Sequence, residues 1–263
     1  MQVVWPPASS SPVADPAELV AADARPCPAG RPWVVASMVA SADGSATDGE
    51  GLSGGLGGPA DRAMFAALRS VADLILVGAG TVEAEGYGPS RPSAEARARR
   101  VERGQAPTPR IVVATASLAP DPHARLFAEA APGARPVVLT VATADPDRRR
   151  ALATVADVHV VGDDRIDWRR ALGLLRTGLG ASVVLCEGGP RTIGQLVASD
   201  LIDELCLTVA PLLAAGAGPR IASGAALHAP HRLDLARVVE ADGHLLLRYV
   251  RARVSGASEP SAW

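Results

Sequence analysis

The sequence predicts an α/β protein with a mostly parallel central sheet, helices on its faces and an antiparallel hairpin at the C-terminal end. Two patterns lead to this prediction. From Trp33 onward, short runs rich in β-branched residues alternate with segments of helical periodicity, which is typical of parallel strands joined by helices. Later, two apolar runs flank Ala241-Asp242-Gly243, and Asp-Gly is a strong signal for a hairpin turn.

The predicted elements follow in chain order. Strands of the parallel part are expected at residues 33–38, 74–77, 111–114, 137–141, 158–161, 183–186 and 205–209, and the hairpin arms at 233–240 and 244–251. Helices are expected at residues 59–70, 145–155, 168–177 and 190–199. Pro59 occupies a favourable first-turn position, and Asp145 is a cap followed by Pro146.

Composition sets the expected boundaries. Residues 1–30 contain six prolines and little apolar periodicity, so we expect an N-terminal extension with at most one short helix near residues 15–23. Residues 31–253 are expected to form a single domain, followed by a C-terminal tail at 254–263. Residues 86–109 are typical of a solvated loop with a short exposed helix, and they carry Arg97, Arg99, Arg100 and Arg103.

The basic residues exclude several kinds of chemistry. All 26 of them are arginines, and asparagine is absent from the 263 residues. Without lysine there is no Schiff-base lysine, pyridoxal anchor, phosphate-loop lysine or protein-kinase strand lysine. Without asparagine there is no N-glycosylation sequon and no Cys-His-Asn triad.

The charge balance and the cysteines indicate the setting in which the protein works. A net charge of −2 and a pI near 6.2 give no basic footprint for nucleic acid or an anionic membrane. We therefore expect a small-molecule substrate or a second copy of the chain as partner. Cys27, Cys186 and Cys206 lack C-x-x-C spacing, which favours reduced thiols in a cytoplasmic protein. We expect no signal peptide, membrane segment or metal site.

The first candidate site is the run Val77-Gly78-Ala79-Gly80-Thr81 after a predicted strand. Its glycines allow a tight turn and a close approach of phosphates to backbone amides. A dinucleotide fingerprint would need a glycine where Glu83 stands, and the next strand ends without an acidic ribose ligand. The run therefore argues against an ordinary Rossmann site and is equally compatible with a plain turn.

The second candidate is Glu187-Gly188-Gly189-Pro190-Arg191-Thr192, which follows another strand. Two glycines and a first-turn proline predict a helix N-terminus with unpaired amides, which attracts anions. Arg191, Thr192 and Gln195 would add donors. A plain strand-to-helix turn is the alternative, but it would not need Glu187 at the strand tip, where ligands bind in open α/β sheets.

The third candidate is Ser41-Ala42-Asp43-Gly44 at the exit of the first predicted strand. Asp-Gly is also an ordinary turn dipeptide. The glycine-rich segment 49–58 follows and is expected to be a mobile flap or a phosphate cradle. Arg62 and Arg69, seven residues apart on the next helix, are either solvated charges or anion ligands.

Taken in order, several motifs resemble the reductase domain of bacterial riboflavin biosynthesis, within the dihydrofolate-reductase-like superfamily. They are Ser-x-Asp-Gly, the glycine-rich loop, Leu68-Arg69, the run from Asp73 to Val82, Glu187-Gly188-Gly189-Pro190 and the run from Leu201 to Pro211, and the resemblance covers about residues 31–250. It implies a dihydrofolate-reductase-like fold, NADPH as hydride donor and a homodimer. The implied substrate is 5-amino-6-(5-phosphoribosylamino)uracil, whose ribosyl chain is reduced to ribityl. In this family a zinc deaminase domain is often fused ahead of the reductase. Its H-x-E and P-C-x-x-C motifs do not occur in this sequence, so we expect the stand-alone form of the reductase.

The resemblance also implies site residues. Its cofactor contacts fall on Val39, Thr81, Glu85, Thr115, Gly189, Pro190, Arg191, Thr192, Ile193, Gly194 and Gln195, and the glycine turns add Gly78, Gly80 and Gly188. Its substrate contacts fall on Ser53, Arg69 and Glu187. We expect Glu187 to hold the amide edge of the pyrimidine and Arg69 a phosphate or hydroxyl at the far end. Asp43 is the candidate proton donor or orienter while the opened sugar takes hydride.

Two departures from the family leave alternatives for the substrate. The usual Asp-Asp-Pro and Leu…Arg segment reads Glu83-Ala84-Glu85-Gly86-Tyr87-Gly88-Pro89-Ser90-Arg91, in which Arg91 is the candidate replacement for the lost arginine, and Gly55 replaces a tryptophan. A related phosphoribosyl pyrimidine, a pterin such as dihydrofolate, and a nucleotide-binding protein without turnover are the alternatives. Thr115, Ser117 and Arg125 favour NADPH over NADH because they could bind a 2′-phosphate.

Overall fold

A computed structural model describes residues 1–6, 11–13 and 15–252 of the chain. The expected C-terminal tail, residues 254–263, lies outside the described residues. Within these ranges the strands are β1 (Gln2–Trp5), β2 (Ser11–Pro12), β3 (Trp33–Ser41), β4 (Leu74–Gly78), β5 (Arg110–Ala114), β6 (Val137–Thr140), β7 (Asp157–Val160), β8 (Val183–Cys186), β9 (Glu204–Ala210), β10 (Leu233–Ala241) and β11 (His244–Arg251).

The α-helices in the same ranges are α1 (Pro16–Ala21), α2 (Pro59–Val71), α3 (Ala79–Ala84), α4 (Ala94–Glu102), α5 (Arg125–Ala128), α6 (Pro146–Ala153), α7 (Trp168–Thr177) and α8 (Pro190–Ala198). None of them is both long and apolar enough to span a membrane.

All the strands belong to one sheet in the order β2-β1-β10-β11-β9-β3-β8-β4-β5-β6-β7. From β9 to β7 every neighbouring pair is parallel. From β9 to β2 every neighbouring pair is antiparallel, and the hairpin of β10 and β11 lies in this part. The predicted fold class, a mostly parallel sheet with a C-terminal antiparallel hairpin, is confirmed.

Helices cover both faces of the parallel part, and the strand residues alternate between two cores. On β4, Leu74 and Leu76 pack in the same core as α7 and α8. Ile75 and Val77 point the other way, into a core shared with α5 and α6. Burial on both faces explains why these strands read as continuous apolar runs rather than as alternating patterns.

The N-terminal segment contains more regular structure than the sequence indicates. Helix α1 is present as expected, capped by Asp15, whose carboxylate accepts a hydrogen bond from the Ala17 amide at 2.8 Å. The expectation of at most one short helix is nevertheless wrong, because β1 pairs with β10 and buries Val3. Its four residues carry too little periodicity to be recognised, and the pairing with the hairpin defines the strand.

Two further differences concern helices. The Gly78-to-Thr81 run opens helix α3 instead of being a plain turn. The arginine run is not simply solvated, because Arg100 of α4 is fully buried. Its Nη1 donates to the carbonyl oxygens of Arg69 at 3.1 Å, Ser70 at 3.1 Å and Ala72 at 2.6 Å. Unpaired carbonyls at a helix C-terminus are strong acceptors, and they draw this side chain inward.

Candidate active site

The three predicted motifs meet at one edge of the sheet. Strands β3, β8, β4 and β5 are consecutive neighbours and parallel, so their carboxyl ends lie side by side. Asp43 follows β3, Glu187 follows β8, Gly80 follows β4 and Thr115 follows β5. Crevices outside the carboxyl ends of parallel strands are the usual ligand sites of such sheets.

The glycines of two turns allow the connections after β4 and β8 to pack closely. The Gly78 amide donates to the Gly188 carbonyl oxygen at 2.9 Å. A Cβ on Gly78 would lie 2.6 Å from Thr192 Oγ1, and a Cβ on Gly189 would collide with Thr81 Oγ1. A side chain at either position would therefore force a threonine side chain to move. The peptide bond between Gly188 and Gly189 is cis.

Helix α8 begins at these turns and provides a site suited to an anion. Gly189 is its N-cap and Pro190 its first residue, so the amides of Arg191 and Thr192 have no acceptor within the helix. The positive end of the helix dipole adds to these donors. A Cβ on Gly80 would meet no atom within 4 Å, which leaves open space at the start of α3. These residues fit the diphosphate of a dinucleotide.

Several other predicted cofactor residues have side chains that are engaged within the protein. The side chain of Ile193 is buried in the core, and Gly194 packs against the Ser223 carbonyl. The Gln195 side chain accepts a hydrogen bond from Trp168 Nε1 at 2.8 Å, on the side of α7. The Ile193 amide is engaged as well, because it donates to the Gly189 carbonyl oxygen at 3.1 Å.

Val39 and Thr115 lie at the ends of two strands. Val39 is half-buried on β3, in register with Thr208 of β9. Thr115 is buried directly after β5, and its Oγ1 accepts a hydrogen bond from the Leu118 amide at 3.0 Å. The Thr115 hydroxyl therefore keeps a proton to donate.

At the tip of β8, the Glu187 carboxylate is bound by two residues. Arg69 donates from Nε to Oε1 and from Nη2 to Oε2, each at 2.6 Å, and Tyr87 donates from its hydroxyl to Oε2 at 2.9 Å. The Glu187 side chain is 0% exposed, whereas the Arg69 side chain is 29% exposed. The Arg69 guanidinium also stacks on Phe65, 4.5 Å from the ring centre.

This pairing corrects the expectation that Arg69 and Glu187 hold opposite ends of a substrate. The two side chains bind each other through two hydrogen bonds. A buried carboxylate needs a charged or hydrogen-bonding partner, and Arg69 at the end of α2 is within reach. Of the two side chains, only that of Arg69 remains partly exposed.

Burial and mutual contact fix the protonation states of this group. Burial lowers the pKa of Arg69, but the hydrogen bonds and charge of Glu187 raise it by more, so the net shift is upward. Burial, together with the charge of Glu187, raises the pKa of Tyr87 above its ordinary range. Arg69 is therefore a cation and Tyr87 a neutral donor at physiological pH.

Ser53 and Glu85 are also brought together, although the sequence assigned one to the substrate and the other to the cofactor. The amide and the hydroxyl of Ser53 both donate to Glu85 Oε1, at 2.9 Å and 2.8 Å. This contact fastens the glycine-rich loop to the end of α3.

Asp43 lies at the exit of β3 and holds a neighbouring segment. Its carboxylate accepts hydrogen bonds from Ser41 Oγ at 2.5 Å and from the amides of Ala214 at 3.1 Å and Ala215 at 2.7 Å. These donors, the Ser41 hydroxyl first, lower the pKa of Asp43 to about 2. An ionised carboxylate does not donate a proton at neutral pH, so the expected role as proton donor is not supported.

Arg91 does not face the Glu187 carboxylate. Its Nη2 lies 2.6 Å from Glu129 Oε2, and Arg125 Nε lies 3.2 Å from the other oxygen of Glu129. Arg125 Nη2 would be 3.4 Å from a Cβ on Gly88. Because Glu129 binds both cations, Arg91 lies next to Arg125, the residue predicted to bind the 2′-phosphate of the cofactor. Arg91 was expected to replace the family's substrate arginine.

Tyr87 was not among the predicted site residues. The signal that could have identified it is the run Glu85-Gly86-Tyr87-Gly88, in which a tyrosine stands where this chain departs from the family pattern. Gly86 has a φ of +59° and ends α3, and the Tyr87 amide donates to the Val82 carbonyl at 3.0 Å. This helix end places the Tyr87 ring beside Glu187.

No cluster of histidine, cysteine and acidic side chains suited to a metal ion occurs among the described residues.

An anion-binding helix terminus at the carboxyl ends of parallel strands, beside a buried ion pair, is the arrangement of an α/β enzyme that uses a nucleotide cofactor. The chain belongs to the RibD C-terminal domain family, whose sequence profile matches residues 32–247. The enzyme class predicted from the sequence, an oxidoreductase, is confirmed.

Relatives of known name agree with this assignment. The chain is 30% identical over 186 residues to the 2,5-diamino-6-ribosylamino-4(3H)-pyrimidinone 5′-phosphate reductase of Archaeoglobus fulgidus, covering 71% of this chain and 83% of that protein. It is 28% identical to the protein of the same name from Methanothermobacter thermautotrophicus, covering 72% and 82%. A pyrimidine reductase-like protein of Corynebacterium diphtheriae superposes with a TM-score of 0.80 at 25% identity, covering 91% of this chain and 100% of that one.

Proposed function

We propose that this protein is an NADPH-dependent reductase of a ribosylamino-pyrimidine 5′-phosphate in riboflavin biosynthesis, and that residues 31–253 carry the activity. The substrate is 5-amino-6-(5-phosphoribosylamino)uracil or the 2-amino pyrimidinone named for the archaeal relatives. The observation that supports the proposal is the position of the α8 N-terminus directly after Glu187, because a diphosphate bound to its free amides would lie beside the Arg69 guanidinium. A dinucleotide and a small polar ring would then meet at the ends of β8 and β4.

The roles of the side chains follow from this placement. The amides of Arg191 and Thr192 hold the cofactor diphosphate, and Arg69 presents its exposed guanidinium to the substrate. When bound, NADPH supplies the hydride. Asp43 is a positioning residue, because its ionised carboxylate holds Ser41 and the Ala214 and Ala215 amides at the rim of the crevice.

The preference for NADPH over NADH is supported at the end of β5. No acidic residue stands at Ala114, Thr115 or Ala116, where an NAD enzyme of this type commonly binds the ribose. Arg91 and Arg125 share the single carboxylate of Glu129, which leaves a net positive charge beside the loop at Gly88. A 2′-phosphate would find two cations there.

A pterin such as dihydrofolate is the second candidate substrate. The observation that favours it is that Arg69, which is predicted to contact the substrate, is already bound to Glu187 by two hydrogen bonds. A substrate without a phosphate group would not need Arg69 to be released.

A paired assay tests the proposed function. Purified protein is mixed with NADPH and, separately, with the uracil substrate, the 2-amino pyrimidinone and dihydrofolate, and the loss of NADPH absorbance is followed. We expect turnover with a pyrimidine phosphate. Turnover with dihydrofolate alone would transfer the assignment to the pterin, and NADPH binding without turnover on any of the three would indicate a nucleotide-binding protein that has lost catalysis.

We also propose a homodimer, supported by an apolar surface on the antiparallel part of the sheet. On one side of β10 and β11, Val239 and Leu246 are buried in the core that includes α2. Because strand residues alternate in direction, the opposite side carries Leu207 facing Leu247, Val209 facing Leu245, and Tyr249 facing Leu205. Leu245 is 40% exposed there. We expect light scattering to show a dimer for the wild type and a monomer for Leu245→Glu. Val101→Glu, at an exposed position of α4, is the control and should remain a dimer.

The cytoplasm is the proposed location of the enzyme. NADPH and phosphorylated intermediates are retained inside the cell, and a reductase that uses both needs access to the same pool. Fractionation of cells that express the tagged protein checks this assignment.

A further inference from the structure

The carboxylate of Glu187 is completely covered in the structure, although it lies at the strand tip where a substrate is expected to bind. We propose that Tyr87 is a displaceable cover of Glu187, whose hydroxyl occupies the position that an N–H donor of the substrate ring takes on binding. This inference rests on the proposed function for the identity of the ring. It makes Tyr87 a residue that sets substrate affinity.

The hydrogen bonds of Glu187 define the position in question. Oε1 accepts one hydrogen bond, from Arg69 Nε, and Oε2 accepts two, from Arg69 Nη2 and from the Tyr87 hydroxyl. With its side chain 0% exposed, Glu187 offers no oxygen to a ligand until a covering group moves. The two residues that hydrogen-bond to it, and could make way for a ligand donor, are Arg69 and Tyr87.

Arg69 is the more firmly held of the two. It makes two charge-assisted hydrogen bonds of 2.6 Å and stacks on Phe65. Its backbone is fixed as well, because Arg100 Nη1 donates to the Arg69 carbonyl oxygen and Arg103 Nη2 donates to that of Ser70 at 2.6 Å. Moving Arg69 would break a buried ion pair, which is costly.

Tyr87 is held to Glu187 by one hydrogen bond of 2.9 Å, and its ring packs beside the core shared with α5 and α6, with the Arg69 guanidinium 5.9 Å from the ring centre. Its backbone is anchored by the hydrogen bond from its amide to Val82, so the ring can leave by rotation of the side chain without unfolding α3. Because one hydrogen bond from a neutral hydroxyl is weaker than two charge-assisted ones, Tyr87 is the cover that a ligand displaces at lower cost.

The exchange conserves both charge and hydrogen bonds. A neutral O–H donor leaves Glu187 Oε2, and a neutral N–H donor of the ring replaces it, while the Arg69 pair stays in place. Because one donor substitutes for another, the free energy of the exchange is small compared with that of an unpaired buried carboxylate. The chemistry selects rings with an N–H at their edge, as in uracil, 2-aminopyrimidinone and pterins.

The first test compares Tyr87→Phe with Tyr249→Phe. The two are the chain's complete set of tyrosines, so the second variant is a matched control. We expect Tyr87→Phe to lower the KM for the pyrimidine about three- to tenfold with kcat unchanged, because the competing donor is gone. Tyr249→Phe is expected to change neither constant. A raised KM or a lowered kcat in Tyr87→Phe would show that the hydroxyl acts on the substrate, which overturns the proposal.

The second test observes the cover directly. Protein labelled with fluorotyrosine gives two fluorine NMR signals, and Tyr249→Phe assigns them. Suppose first that the pyrimidine phosphate is reduced. A Tyr87 signal that then moves toward that of free fluorotyrosine on binding supports the cover, whereas an unmoved signal overturns the cover and leaves the proposed function in place.

If no pyrimidine is reduced, the proposed function fails. The protein is then titrated with uracil and isocytosine, and a moved Tyr87 signal supports the cover whereas an unmoved one overturns it.

Discussion

The guanidinium of Arg69 and the carboxylate of Glu187 are 118 positions apart in the chain and meet through two hydrogen bonds of 2.6 Å. The pair joins the end of α2 to the tip of β8, so it connects a helix of one face of the sheet to the strand exit that opens the cofactor site. Stability and ligand binding are therefore expected to depend on the same pair of side chains.

Removal of Arg69 is expected to destabilise the protein strongly. Arg69→Met leaves Glu187 as a buried, uncompensated carboxylate, which costs roughly 3–5 kcal/mol of unfolding free energy. Urea unfolding measures this loss. Arg62→Met, an exposed arginine seven residues earlier on the same helix, is the matched control and should change stability by less than about 0.5 kcal/mol.

The double variant Arg69→Met with Glu187→Leu separates the cost of an unpaired charge from that of lost packing. Because both charges are gone, we expect most of the stability to return, while reductase activity does not. A double variant as unstable as the single one would contradict the assignment of the cost to the uncompensated carboxylate.

Two glycines at the cofactor site should respond differently to a methyl group. Gly189→Ala places a Cβ against Thr81 Oγ1, so we expect a loss of about 1–3 kcal/mol in stability. Gly80→Ala meets no atom within 4 Å and lies in helix α3, so stability should hold or rise by up to about 1 kcal/mol. Calorimetry checks both values. A raised KM for NADPH in Gly80→Ala would locate the cofactor over this residue.

The low pKa of Asp43 predicts how the stability of the folded protein changes with pH. The carboxyl has a pKa of about 2 in the folded protein against an ordinary value of 3.8, so it contributes stability above pH 3.8 that is lost as the pH falls toward 2. The difference in Tm between wild type and Asp43→Asn should therefore shrink over this range and stay constant above about pH 5. Asp164→Asn, on an exposed loop, is the control.

The same value predicts the shape of the activity profile. If Asp43 positions and does not donate a proton, Asp43→Asn lowers activity by a factor that is constant between pH 5 and 8, within the range where the carboxyl stays ionised. If kcat of the wild type changes with pH over this range and the change is lost in Asp43→Asn, Asp43 is the proton donor after all.

Arg100 is expected to stabilise the end of α2. Arg100→Met removes the donor to three carbonyl oxygens, and we expect a loss of roughly 2–4 kcal/mol. Arg97→Met, exposed on the same helix, should be nearly neutral. Equal effects of the two variants in chemical denaturation would contradict the assigned role of Arg100.

Local patterns predicted the fold well where local sequence determines the element. Helix α7 and strand β8 begin and end where the sequence placed them, because an Asp167 cap and a compact apolar run mark their limits. Strand β1 was missed because its four residues become a strand only by pairing with β10. Long-range pairing of this kind leaves no signal in a short segment.

Candidate site residues could be chosen by residue type but not by arrangement. The strand-tip position of Glu187 and the family resemblance of Arg69, Ser53 and Glu85 do not indicate which of these side chains bind each other. Contacts such as the one between Tyr87 and Glu187, 100 positions apart, depend on the sheet order and on the end of α3. Charged groups in a buried setting pair with whichever partner the fold brings within reach.

The transfer of a labelled hydride tests the central claim most directly. The protein is incubated with NADPH deuterated at the transferable position of the nicotinamide and with 5-amino-6-(5-phosphoribosylamino)uracil or its 2-amino counterpart, and the product is analysed by mass spectrometry. We expect one deuterium on the carbon of the new ribityl chain that is bonded to nitrogen. Cofactor binding with no deuterium in either pyrimidine would contradict it.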